Sequence, residues 1–335
     1  MRILFHIFLY EKEYFIILNC TNKKEIFMRI KKEIFQILVW SLAVIIIVPI
    51  FIYFFSDKEE NEISFSSEED FSFIFESTEE VFLPDGAIPV VSARLEDVEF
   101  KNQTRYELEA DKLHYSKKDY SKELSENSPL VLIIHTYGTQ SYCESGYITE
   151  ESTLKSENEN ENVISAGKAL KNFLEQKGIK AIHHTALFDK ISYSGAYNLS
   201  TEAVYDYLKK YPSIQFVIDI QRDSLFTPNG SCVKAITNTE KGKTAQISFI
   251  SGSNENGADF PNWKNNLSLS LELSKRLAKI NEGLSRGVCL MPSGYGQYSS
   301  EGYITVKIGT AGNTPKEAEN ASELLSEALS ELILS

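Results

Sequence analysis

The chain has 335 residues, 42% of them hydrophobic and 24% charged, with a formal net charge of -13. That length holds one substantial domain plus appendages, and the acidic balance supplies no basic surface to track phosphates, which excludes a nucleic-acid binder. Cys20, Cys143, Cys232 and Cys289 share no CxxC spacing, so a zinc knuckle or a dense disulfide scaffold is excluded as well.

Residues 34–55, IFQILVWSLAVIIIVPIFIYFF, carry no charge. As a helix they span about 33 Å at about 1.5 Å per residue, enough for a bilayer. Arg29, Lys31 and Lys32 precede the run, and Asp57, Glu59, Glu60 and Glu62 follow it. The positive-inside rule therefore predicts a cytoplasmic N-terminus at 1–33, a single transmembrane helix at 34–55, and an extracytoplasmic remainder held at the cell membrane. No small-residue cleavage site follows, so the run reads as an uncleaved anchor. Residues 1–27 are apolar but broken by Glu11, Lys12 and Glu13, and Met28-Arg29-Ile30-Lys31-Lys32 has the look of a true start. Residues 1–27 are thus a candidate mis-assigned start.

Residues 56–84 are rich in Ser, Glu and Asp and read as an acidic linker that ends at the turn signal Pro84-Asp85-Gly86. Residues 85–128 alternate short apolar and charged runs, a small lead-in region. The main domain is expected at 129–335. It opens with Leu130–Ile134, a continuous apolar run bounded by Pro129 and by the polar segment after His135, which reads as a buried central strand. Strand and helix signals then alternate. Helical stripes are predicted over 163–177, 200–211 and from Pro261 onward, and strands over 179–184, 214–220, 245–250 and 303–308. Thr314-Pro315-Lys316-Glu317 is a capping box with proline at the first helical position, opening a last helix. The alternation predicts an α/β domain whose mainly parallel sheet is flanked by helices.

His135 and Thr136 after the first strand, Tyr193-Ser194-Gly195-Ala196-Tyr197, Asp219-Ile220-Gln221-Arg222-Asp223, Pro261-Asn262-Trp263 and Gly309-Thr310-Ala311-Gly312-Asn313-Thr314 occur in that order. Together with a single N-terminal anchor, the set resembles the stage II sporulation protein P family over roughly residues 90–335. The resemblance implies a zinc-amidase-like fold, an N-acetylmuramoyl-L-alanine amidase activity on peptidoglycan, and membrane partners in the machinery of forespore engulfment. Such chemistry needs two imidazoles and a carboxylate on zinc, an open position for water, and a glutamate to move protons.

At the matching positions this chain departs from the pattern. Of a typical His-Thr-His-Thr-x-Glu-Ser-Tyr it keeps His135 but has Tyr137 and Gln140 for the second histidine and the acid. Gln221 stands for the histidine of the second motif, and Lys307 for the catalytic glutamate of the last strand. Gly296-Gln297-Tyr298 replaces an Asn-Gln-His. Neutral amides are poor zinc ligands beside carboxylate and imidazole, and a lysine adds a cation where the metal would bring its own charge. His135 is then the one surviving candidate ligand, zinc is not expected, and His135, Gln140, Gln221, Arg222 and Asp223 are expected to line a binding cleft.

Some readings stay open. His135 is either a ligand or base, or a histidine bonded to neighbouring backbone. Lys307 either pairs with Asp219 or Asp223 or guards a sheet edge. Of His183 and His184, one is expected to pack and the other to face solvent. Cys143 and Cys232 are either a disulfide across the cleft or two separate thiols. The substitutions point to a protein that binds peptidoglycan with catalysis lost; the alternative is an active hydrolase built on other residues.

Overall fold

The computed structural model describes residues 83–96, 99–149 and 154–335. The expected membrane span, the candidate start at Met28 and the linker up to residue 82 lie outside the described residues. Among the described residues no helix is long and apolar enough to cross a membrane.

In chain order, β1 (Ile88–Ala93), β2 (Phe100–Asn102) and the short α1 (Ser121–Ser125) precede the central β3 (Val131–Ile134). Next come β4 (Tyr147–Ile148), α2 (Val163–Gln176), β5 (Ala181–His183), α3 (Phe188–Ile191), α4 (Ala196–Lys210) and β6 (Phe216–Asp223). A hairpin of β7 (Cys232–Thr239) and β8 (Gly242–Ala245) leads to β9 (Ile247–Gly252), α5 (Trp263–Ile280), β10 (Ser285–Met291), β11 (Tyr303–Thr310) and α6 (Pro315–Leu334). The predicted capping box opens α6: Thr314 accepts from the Glu317 backbone N–H, and the Glu317 carboxylate accepts from the Thr314 N–H.

Seven strands form the main sheet in the order β2-β10-β9-β11-β6-β3-β5. It is a mixed sheet: the neighbours are parallel, in line with the expected mainly parallel sheet, except that β11 runs antiparallel to β9. β1, β4, β7 and β8 form a second sheet of four strands that the sequence reading did not foresee. Residues 88–102 thus supply one strand to each sheet.

The period of two along each strand sorts side chains between the faces. Val131, Ile133, Phe216, Ile218, Ile220, Ile304, Val306 and Ile308 share one core with residues of α2, α5 and α6. Leu132, Ile134, Val217 and Tyr303 face the other way, onto Val204 of α4. Continuing the alternation puts His135 on the α2 face. Thr136, Asp219, Gln221, Asp223 and Lys307 fall on the α4 face.

Candidate functional site

The α4 face of β6 presents Asp219, Gln221 and Asp223 in a row, with Lys307 of β11 in register beside Gln221. Asp219 is wholly buried and accepts from the Thr136 backbone N–H at 2.9 Å, from Thr136 Oγ1 at 2.8 Å and from Gln221 Nε2 at 2.9 Å. Burial pushes its carboxyl upward, against these bonds and the nearby Lys307 charge. Gln221 Nε2 also reaches the Tyr197 hydroxyl at 3.4 Å.

Asp223 binds two cations. Its carboxylate lies 3.2 Å from Lys307 Nζ and pairs with Arg286 Nη2 through the other oxygen. Burial alone would raise the Asp223 carboxyl, but Lys307 and Arg286 outweigh it and hold it down at about 2. Arg286 reaches this face because the ladder slips between Ser285 and Val288, with Gly287 at φ 76°. A bulge of this kind turns a side chain that would otherwise face the helices.

Four tyrosines stand beside this floor. The Tyr137 ring is 5.2 Å from that of Tyr193 and 5.5 Å from that of Tyr197, which in turn lies 5.5 Å from Tyr295. Lys155 Nζ sits 4.1 Å over the Tyr193 ring. Tyr295 has a left-handed backbone, φ 48°, next to Gly296 at φ 69°. A bulky residue in that region is strained, and the strain here holds a ring against Tyr197.

His135 belongs elsewhere. Its ring is wholly buried, with Nδ1 3.0 Å from the Ile220 carbonyl and Nε2 2.8 Å from Nε2 of His183. A carbonyl only accepts, so Nδ1 carries the proton of a neutral ring, Nε2 accepts, and His183 donates. Burial is the first cause that keeps both rings neutral: it drives His135 well below the usual imidazole range and, with Lys171 and His184, takes His183 to about 4. Both ring nitrogens of His135 are therefore engaged on the face opposite Gln221 and Lys307. His184 makes a bond of 3.1 Å to the Tyr207 hydroxyl.

Gln140 and Arg222 also serve the scaffold. Gln140 Oε1 accepts from the Arg222 backbone N–H at 2.9 Å, and the Arg222 guanidinium donates to the Ser141, Asp223 and Leu154 carbonyls. Gln297, from the run that replaces Asn-Gln-His, is wholly buried and braces the Ile250 carbonyl and Thr305, while Tyr298 is exposed. Cys143 and Cys232 are both free thiols within one small apolar cluster.

Zinc does not fit these donors. His135, the surviving candidate ligand, has both ring nitrogens engaged on the opposite face. Tyr137, Gln140 and Gln221 offer a phenol and two amides, Lys307 adds a cation, and among the described residues no three His, Cys, Asp or Glu side chains come together as a metal site. Of the five residues expected in a cleft, the structure places Gln221 and Asp223 on one face, beside Lys307 at the position of the catalytic glutamate. Sequence reasoning did not single out Arg286, Tyr193, Tyr197 and Tyr295 as site residues; the motif around Tyr193 and Tyr197 and the glycines flanking Tyr295 were the available signals.

The model of the family described as stage II sporulation protein P matches residues 64–330. The chain belongs to that family. Stage II sporulation protein P of Bacillus subtilis (strain 168) is 27% identical over 263 residues, which cover 73% of this chain and 61% of that protein. This member therefore aligns with less than two thirds of that relative's length. Among solved structures, the N-acetylmuramoyl-L-alanine amidase AmiC2 of Nostoc punctiforme is 14% identical, with a TM-score of 0.35, covering 62% of this chain and 95% of its own. An N-acetylmuramoyl-L-alanine amidase from Clostridium difficile 630 is 16% identical, with a TM-score of 0.34, covering 62% and 96%. Likeness at that level says nothing about the chemistry of this cleft.

Proposed function

We propose that this member of the stage II sporulation protein P family is a non-catalytic peptidoglycan-binding protein. In this reading residues 34–55 anchor it in the cell membrane as a single-pass protein, residues 56–84 space it from the bilayer, and the domain from 129 onward works outside. It acts alongside other membrane proteins of engulfment, binding the wall where its relatives are expected to cut it. One observation carries the reading: Tyr137, Gln221 and Lys307, three of the four substituted positions, are tied into protein contacts on one face, and their chemistry suits neither zinc nor proton abstraction.

The full chain, purified and offered zinc, should retain none after desalting, should release no stem peptides from sacculi, and should sediment with sacculi. Stoichiometric zinc together with peptide release would overturn the reading.

A further inference from the structure

Lys307 and Arg286 share a single carboxylate, Asp223, so the cluster they form carries one net positive charge. The neighbouring acid on this face, Asp219, is wholly buried and committed to Thr136 and Gln221. The next charged side chain on β2, Lys101, stands in register with Cys289 and is again a cation. Arg286 Nε is buried with no acceptor among the described residues, which leaves the guanidinium short of one partner. The cluster is not sealed: Lys307 keeps 23% of its side-chain surface exposed.

The tyrosine wall adjoins this cationic floor through Gln221, which bonds Tyr197 and neighbours Lys307 across the ladder. A fixed ammonium and guanidinium bind an oxyanion far better than a neutral amide. A metal-dependent amidase must instead polarise a neutral amide carbonyl. The apolar face of a pyranose ring suits an aromatic wall, and an acidic substituent on that ring suits the floor.

We propose that the cleft binds a free carboxylate borne by an amino sugar, with the ring against Tyr137, Tyr197 and Tyr295 and the carboxylate on Lys307 and Arg286. This rests on the peptidoglycan reading and sharpens it: the protein recognises glycan whose peptide has been removed, the state left once an amide on the sugar acid has been hydrolysed.

The test uses the full chain and four probes: N-acetylmuramic acid, its carboxamide, N-acetylglucosamine and inorganic phosphate, compared by ligand-observed NMR titration. The acid should bind, and the carboxamide and N-acetylglucosamine should bind about tenfold more weakly or worse, the loss of one charge-assisted contact. Lys307→Gln should remove that preference, while Lys307→Arg keeps it, with a melting temperature for each variant to show that it folds. Equal binding of acid and carboxamide, an unchanged preference in Lys307→Gln, or phosphate binding as tight as the sugar acid would overturn the proposal. Co-sedimentation with intact sacculi separates the two ideas. Wild-type protein that fails to sediment removes the peptidoglycan reading; protein that sediments yet ignores the carboxylate removes this proposal alone.

Discussion

Nε2 of His135 and Nε2 of His183 stand 2.8 Å apart, with one proton between them. The pair is stable while both rings are neutral: a second proton on His135 would sit on Nε2 and face the His183 N–H, while a second proton on His183 would go to Nδ1, where burial and the charges of Lys171 and Lys168 oppose it. Folding therefore holds His183 at about 4 and His135 well below the ordinary imidazole value of 6.5. The unfolded chain takes up these protons first as the pH falls. Stability is full above about pH 6.5 and declines toward pH 4, by on the order of 2–3 kcal/mol for His183 alone. Thermal melts at pH 7.5, 6 and 5 should show the midpoint falling, and His183→Phe should flatten that fall.

Helix α2 passes so closely over the pair that a Cβ on Gly167 would lie 2.5 Å from His135 Nε2 and 2.6 Å from His183 Nε2. Alanine in a helix interior gains about 1 kcal/mol over glycine. Overpacking against two ring nitrogens that cannot swing away costs about 1–3 kcal/mol. Gly167→Ala should therefore be net destabilising, by up to about 2 kcal/mol, measured as a lower urea midpoint with unchanged slope. A midpoint that rises would show that the rings can move.

Which side of the sheet His135 takes was present in the sequence but masked by its composition. Leu130 to Ile134 is apolar at every position, so the run announces a strand buried on both faces and hides the alternation that sorts them. Counting by two from Ile133 sends His135 to α2 and Thr136 to the cleft. The antiparallel pairing of β9 with β11 was not legible, because α5 and β10 intervene and no local signal sets the direction of a strand. β10 was missed because Gly287 and the bulge at Arg286 break its pattern, and that same break delivers Arg286 to Asp223. The end of the helix predicted over 163–177, which Gly178 follows at φ 80°, and the capping box at Thr314 were legible, since local backbone chemistry decides them.

Thiol reactivity follows from burial. Cys232 and Cys289 are buried, and desolvation pushes both up to about 11, which leaves little thiolate near pH 8. Cys143 is partly exposed, and its Sγ lies 3.0 Å from the Tyr147 carbonyl. Iodoacetamide at pH 8 on the native, unreduced chain should modify Cys143 well before Cys232 and Cys289, as read by peptide mass spectrometry. Equal rates, or a Cys143–Cys232 disulfide peptide, would contradict two separate free thiols.

Asp223 is the counter-charge that lets Lys307 and Arg286 share a buried corner, with 11% of its side-chain surface exposed. Asp223→Asn keeps the shape and removes the charge, leaving two cations facing each other across an amide. Breaking a buried ion cluster from one side costs about 3–5 kcal/mol, because the partners stay buried and uncompensated. A loss near 3 kcal/mol is expected here, since Lys307 can turn outward. Adding Arg286→Met to Asp223→Asn should recover part of that loss, whereas a merely local packing defect would give additive losses. The wild-type cluster also defines a second acid window. With the carboxyl held at about 2, its contribution is intact above pH 4 and is lost as the pH falls from about 4 toward 2, below the value of about 4 at which His183 is held. Urea titrations at pH 3.5 and 2.5 should show the wild type losing stability between them and Asp223→Asn losing less.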